Sequence, residues 1–421
     1  MKNKKAIFLL FSANTVSGMA QGISMIAIPW HFTTILDKAS LFGTIYAAIT
    51  GISLIWGLYV GTIVDKYNRK NIFLTISIVG GCILLGTSLF GFVMGEVHYV
   101  LAALAFCTTY FIYSVHYPNL YAFAQEITEP KHYGKITSYI EIQGQLTSMI
   151  AGAGAAMLLS GINLESFDIG GFQMNFSLSI NKWHLHEVFL LDATTYLLAL
   201  VLICFIKYTP VAKREAESGS IKTRLITGIT FLQNNPLLFL FGTASFSVFV
   251  TVLVIGFYLA PIYINNHLGA GASVYAISDV FFALGAVAAG VGVRWLFKKA
   301  TDVEAVILLT LLASAVYFFY VKNQDVTLFY LTMLALGMCN AGIRIMRVTY
   351  LFNHIPNQII GRVNGVFGMI NVLFRLIFIS SFSLPFFISE NNVVYAFLIM
   401  AVFVFIASIP MIYKLKALNA S

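Results

Sequence analysis

Charge is scarce in this chain. Only 10% of its 421 residues are Asp, Glu, Lys or Arg, where a soluble globular protein carries about a quarter. That shortage excludes a solvated surface over most of the molecule. Cysteine is scarce as well. Cys82, Cys107, Cys204 and Cys339 all sit in apolar runs. None forms a CxxC pair, so neither a disulfide framework nor a zinc site is indicated. A Walker-type glycine loop is missing, which argues against ATP as the energy source. HExxH and GxSxG are missing too, and no other catalytic constellation is visible. An enzyme is not expected, and no cofactor or metal is implied.

Apolar residues make up 59% of the sequence, and the mean hydropathy is +0.85. Apolar runs of about 20 residues recur, the length that crosses a bilayer as a helix. Twelve spans are read, at roughly 6–35, 40–62, 71–94, 98–123, 136–160, 187–207, 236–263, 271–297, 303–321, 326–352, 362–388 and 391–413. The start, Met1-Lys-Asn-Lys-Lys, resembles the basic region of a signal peptide. The apolar run after it continues past Trp30, too long for one, so it reads as the first span. An even number of spans puts both termini on one side, and the basic ends make that side cytoplasmic. The net charge of +8 is a topology signal rather than a nucleic-acid patch. Nineteen of the 25 Lys and Arg fall in segments expected to be cytoplasmic, three in external loops, and three (Arg344, Arg347, Arg375) within spans.

One short connection organises this reading. Gly61-Thr62-Ile63-Val64-Asp65-Lys66-Tyr67-Asn68-Arg69-Lys70 joins two long apolar segments, and its basic cluster faces the cytoplasm. The spacing of glycine, aspartate and basic residues resembles the signature between the second and third helices of the major facilitator superfamily. The resemblance implies an all-α membrane protein with twelve transmembrane helices in two pseudo-symmetric six-helix bundles. It also implies that Asp65 and Arg69 help lock one state of a transporter. Gly61 and Lys70 belong to that switch, as do Gly361 and Arg362 at the start of span 11.

Domain limits follow. Residues 1–207 form the first bundle and 236–421 the second, joined by a cytoplasmic linker, 208–235, with an amphipathic segment from Ile221 to Gln233. The halves resemble each other. Ala39-Ser-Leu-Phe-Gly and Ala272-Ser-Val-Tyr-Ala open spans 2 and 8, and Gly134-Lys-Ile-Thr and Gly361-Arg-Val-Asn open spans 5 and 11. Near-equal offsets argue for a duplicated six-span unit. The external connection 161–187 is long. Its alternating stretch Phe172 to Ile180 suggests a small hairpin or strand, either a lid or a tolerated insertion.

Without an ATP site, transport must use an ion gradient or run downhill. Ionisable groups inside spans are costly and usually face a cavity or each other. Glu141 in span 5 and Asp279 in span 8 are the candidate proton-coupling acids. A structural ion pair for Glu141 and outer-gate hydrogen bonding for Asp279 are the alternatives. Asp192 lies nearer the edge of span 6 and reads as solvated. Arg344 in span 10 is a candidate partner for Glu141 or an anionic ligand, whereas Arg347 reads as snorkelling toward the cytoplasm. Asn14, Ser17 and Gln21 share one face of span 1, either lining the cavity or packing helices. Tyr110, Tyr113 and His116 in span 4 suit a bulky apolar ligand or a packed core, and His116 is expected to satisfy a carbonyl freed by Pro118, with a proton relay as the alternative. Gln145, Asn340, Asn371 and Arg375 complete the cavity candidates. The small-residue run Ala151 to Ala156 permits close helix packing.

Ser114-Val-His116-Tyr-Pro118-Asn-Leu-Tyr-Ala122, Leu232-Gln-Asn-Asn-Pro236 and Ile355-Pro356 through Val363 resemble the macrolide-efflux and enterobactin-exporter branch. Span 4 lacks the arginine of drug/proton antiporters. The resemblance implies export of a hydrophobic or amphipathic small molecule, drug-like or macrolide-like, by proton antiport. Its partners would be that substrate, protons and the lipid bilayer, with no nucleic acid. A monomer in a bacterial inner membrane is expected. A siderophore or metabolite exporter, a lipid or lysolipid transporter, and a non-transporting sensor or scaffold are the alternatives.

Overall fold

The computed structural model describes residues 3–129, 132–164, 167–169, 172–174, 178–208, 221–356 and 359–420. The expected segment 209–220 of the linker lies outside the described residues. Among those described, twelve helical stretches are long and apolar enough to cross a membrane, as the hydropathy pattern predicts. By contact density the chain forms two compact units. Among the described residues, the first holds those up to 37, 66–208 and 269–280; the second holds 38–65, 221–268 and 281–420. Contacts thus place span 2 in the second unit and the first turns of span 8 in the first, unlike a strictly sequential division.

The first unit contains α1 (Lys4–Trp30), extended by a π turn over His31–Ile35, then α3 (Arg69–Met94), α4 (Tyr99–Glu126), α5 (Tyr133–Ser160) and α6 (Leu185–Cys204). The opening turns of α11 (Ala272–Leu296) also belong to it. Between α5 and α6 lie β1 (Ile162–Leu164), β2 (Phe167–Ile169), β3 (Phe172–Met174) and β4 (Leu178–Ile180). The alternating stretch holds two strands, and each pairs antiparallel with an earlier one, β3 with β2 and β4 with β1, so the strand reading holds and a hairpin within the stretch does not. Small residues let these helices close up. A Cβ on Gly22 of α1 would lie 2.6 Å from Ala151, and one on Gly152 would lie 2.9 Å from the Ala276 carbonyl of α11. The small-residue run of α5 therefore meets two helices at once. Phe73, Leu120, Phe123, Ile136 and Ile140 pack in the core between α3, α4 and α5.

The second unit contains α2 (Ala39–Lys66), α7 (Ile221–Asn234), α8 (Pro236–Ser245), α9 (Ser247–Val254), a π turn at Ile255–Leu259, and α10 (Ala260–Asn266). The rest of α11 follows, then α12 (Asp302–Tyr320), α13 (Val326–His354), α14 (Ile360–Phe382), α15 (Pro385–Ile388), α16 (Val393–Tyr413) and α17 (Leu415–Ala420). Span 7, read as one segment, is α8, α9 and α10 end to end, with a break at Phe246 and the π turn before Pro261. Pro261 has no N–H to continue the ladder, and a wider turn absorbs the mismatch. Span 11 stops at Phe382 rather than 388, because Pro385 starts a separate turn. Gly285 of α11 and Gly337 of α13 mark the tightest crossing: a Cβ on either would fall on the other helix's backbone, at Leu334 and Phe282.

Candidate functional site

The polar row on α1 meets α4 and α5 inside the first unit. Asn14, Ser17 and Gln21 are buried, and Ser24 continues the row at the same helical spacing. Asn14 Nδ2 donates to Gln143 Oε1 at 3.0 Å. Asn14 Oδ1 lies 2.7 Å from His116 Nε2. An amide oxygen only accepts, so that ring nitrogen carries the proton. Gln143 Nε2 donates to the Phe11 carbonyl at 2.6 Å and also meets Thr15 Oγ1. His116 therefore bonds a side chain on α1, not a carbonyl freed at Pro118 as the sequence suggested. The edge of Phe73 covers its ring at 5.1 Å. The void beside Asn14, Ser17, Ser77 and His116 measures about 10 Å³, room for one water at most. This cluster is a closed network, and a ligand does not fit in that void. Gln21 Nε2 is buried without a hydrogen bond.

Deeper along the same row, Ser24 Oγ donates to Asp192 Oδ2 at 2.6 Å. Asp192 is completely buried, and its Oδ1 has no hydrogen bond. The solvated reading of Asp192 is corrected here. It sits two turns into α6 on the face packed against α1, together with Val188, Phe189, Tyr196 and Ala199. The extension of the α1 row to Ser24 is the signal that pointed to it. Glu141 of α5 is half-buried and accepts a hydrogen bond from Tyr121 at 2.6 Å. Asp279 of α11 is half-buried, with no hydrogen bond or ion pair among the described residues. Tyr113 is exposed and tilts against Tyr117 with 4.6 Å between ring centres. Tyr110 is half-buried, edge-on to Phe111. Gln145 is half-buried.

The second unit carries the opposite charge at depth. Arg344 is exposed on α13. Arg347, expected to snorkel, is instead buried: Nη1 donates to the Ser245 carbonyl at 2.9 Å and its guanidinium lies 3.6 Å from the Phe246 ring centre. Arg347 shares its face with buried Ile343, Met346 and Tyr350, so the helix turns it inward. The break at Phe246 supplies the carbonyl it needs. Asn340 is half-buried. Asn371 and Arg375, one turn apart on α14, are both buried. Thus the carboxyls at depth (Glu141, Asp192, Asp279) lie in the first unit and the arginines at depth in the second.

The expected switch residues divide similarly. The side chain of Asp65 lies outside the described residues. Gly61 and Gly361 are exposed with open space around them. Asn68 caps α3 through Lys70 N and Asn71 N and accepts from the Tyr208 hydroxyl at 2.6 Å. Burial and the nearby Glu126 carboxylate raise the Tyr208 phenol above its ordinary pKa, keeping it a donor. Arg69 pairs with Glu126 at 3.1 Å. Lys70 Nζ donates to the Cys204 and Ile206 carbonyls at 2.8 and 2.9 Å, where the end of α6 favours a cation. Arg362 is half-buried, and its carbonyl lies 2.7 Å from where a Cβ on Gly228 of α7 would be. All these described contacts are internal to one unit.

Twelve helices long and apolar enough to cross a bilayer, with ionisable groups held at depth, define an integral membrane protein. A family model for the Major Facilitator Superfamily matches residues 10–379, and the chain belongs to that superfamily. No curated protein matches it. Solved structures share the fold at low identity. A bacterial homologue of the iron transporter ferroportin, in an inward-facing state, is 12% identical with a TM-score of 0.73, covering 97% of this chain and 98% of that one. The nucleoside transporter NupG is 12% identical with a TM-score of 0.70, covering 98% and 99%. A bacterial homologue of the human lysosomal transporter Spinster is 13% identical with a TM-score of 0.70, covering 99% and 98%.

Proposed function

We propose that this protein is a secondary transporter that exports a hydrophobic or amphipathic small molecule in exchange for protons, by alternating access. The carrying observation is Asp192. It has no solvent exposure, one oxygen on Ser24 and the other unpartnered, and no cation beside it among the described residues. An ionisable group held in that way inside a span is expensive, and its usual use is to carry a proton or ligand. Asp279 and Glu141 are the further acids on such a path. The exposed Tyr113 against Tyr117 supports an aromatic or amphipathic cargo. Export, drug-like cargo and a bacterial inner membrane with both termini cytoplasmic rest on the resemblance to the macrolide and enterobactin exporters and on the basic loops. The protein works as a monomer in this reading.

The test uses proteoliposomes with a trapped pH dye and a panel of lipophilic cations, macrolides, siderophores and lysolipids. A substrate-triggered pH change supports the proposal. Substrate flux without a pH change removes the proton. No flux and no ligand-induced stabilisation by any member of the panel turns the reading toward a sensor or scaffold.

A further inference from the structure

The second unit contains a guanidinium with no counter-charge among the described residues. Arg375 is nine-tenths buried, and its Nε has no hydrogen bond. None of its nitrogens is in a hydrogen bond or ion pair among the described residues. An arginine stays charged in a protein, so it cannot escape this cost by losing its proton. Arg347 in the same unit shows how the cost is normally met, with a carbonyl and an aromatic face. Arg375 has neither.

The described elements packed most closely against it offer no acid. Helix α14 packs against α7, α8, α9 and α15, and Phe374 and Phe378 meet Phe403 of α16. None of those five elements contains Asp or Glu. Helix α2 also reaches α14, with Gly51 opposite Leu376. Its one acid is Asp65, fourteen residues beyond Gly51, or roughly 20 Å along the helix.

A second orphan stands beside the first. Asn371 is 4% exposed and its Nδ2 is buried without a partner. Residues i and i+4 share a helix face, so an amide donor and a guanidinium fork are presented together. Both are donors. Arg in this setting matches a planar carboxylate or a phosphate through two parallel hydrogen bonds, and the amide supplies a further one. The rings of Phe374, Phe378 and Phe403 flank the same stretch, which suits an apolar body behind the anionic group.

We infer that Asn371 and Arg375 form an anion-binding subsite, and that the cargo is an amphipathic anion bearing a carboxylate or phosphate. The inference rests on the transporter reading above but needs no proton coupling. It sharpens the cargo class from amphipathic to anionic.

The experiment measures the melting temperature of the purified full-length protein in neutral maltoside detergent. Three C12 probes are compared: dodecyl phosphate, dodecanol and dodecyltrimethylammonium. Dodecyl phosphate is expected to stabilise the wild type, and the other two are not. Arg375→Gln should weaken the dodecyl phosphate response by about tenfold or more in affinity, the loss expected for a charge-assisted pair. Arg375→Lys should retain part of it. Arg375→Gln also changes a buried charge on which the fold rests, so Asn371→Asp is the second variant. It places a carboxylate one turn from Arg375, so it should raise the melting temperature of the free protein and abolish the phosphate response. Equal shifts from all three probes overturn the inference, as does no shift from any, or a phosphate response that survives Arg375→Gln and Asn371→Asp. Proton flux is not read here. Its absence in liposomes would remove the proton coupling and leave the anion subsite standing.

Discussion

Removing the Gln143 side chain tests the internal network of the first unit. Gln143→Ala breaks the bond from Asn14, the bond to Thr15 and the extra bond on the Phe11 carbonyl. The Phe11 carbonyl is already within the α1 ladder, so the loss falls mainly on Asn14 Nδ2 and Thr15 Oγ1. Side-chain hydrogen bonds between helices in a membrane protein average about 0.6 kcal/mol each, reaching about 1.7. Two or three of them give roughly 2 kcal/mol. For a protein of 421 residues that lowers the melting temperature by about 2 °C. The decisive quantity is the coupling, because Asn14 bonds both His116 and Gln143. A double-mutant cycle of Asn14→Ala with Gln143→Ala, read by unfolding in detergent, should show about 0.5–1.5 kcal/mol of interaction. Additive effects, or a Gln143→Ala protein as stable as wild type, would refute the claim that these side chains act as one network.

Three further outcomes follow from the same geometry. Gly285→Leu or Gly337→Leu should destabilise by about 3 kcal/mol or more, since the side chain falls on the neighbouring backbone, while Gly290→Ala, with open space around it, should be neutral or stabilising by up to about 1 kcal/mol; thermal melts separate them. Arg347→Gln should lose more stability than Arg347→Lys, because only a cation keeps the Phe246 face, and a Lys variant no better than Gln contradicts the stacking. The Tyr208 phenol has a raised pKa in the folded state, so its contribution is intact below the unfolded value of about 10 and is lost as pH rises through the folded value. The stability gap between wild type and Tyr208→Phe should narrow above about pH 10, and a gap that widens there reverses the sign.

The spans were legible because bilayer crossing needs long apolar runs, and each run maps to one helical stretch. The α1 row was legible for a similar reason: Asn14, Ser17 and Gln21 repeat at the helical period. What it binds was not, since Gln143 and His116 are more than 100 residues away and nothing local marks them as its partners. Arg344 and Arg347 show the limit most clearly. Depth along a span can be counted, but the side of the helix that is buried depends on tertiary contacts, here the Ser245 carbonyl exposed at the break in span 7. Asp192 was misjudged for the same reason. Its position two turns into α6 is visible in sequence, whereas its burial comes from packing against α1. The shorter span 11 turned on Pro385, a stop signal overridden by the strong hydropathy around it.

We propose above that a carboxyl buried inside the first unit carries the transported proton. The direct measurement is substrate-driven pH change in proteoliposomes containing wild type or Asp192→Asn, with Asp279→Asn and Glu141→Gln beside it. Asn is nearly isosteric and still accepts from Ser24, so the fold should hold while proton exchange is lost. The prediction is that Asp192→Asn keeps substrate binding and its melting profile but no longer moves protons. Full proton movement in Asp192→Asn contradicts the assignment to that residue, and full movement in all three variants contradicts the claim itself.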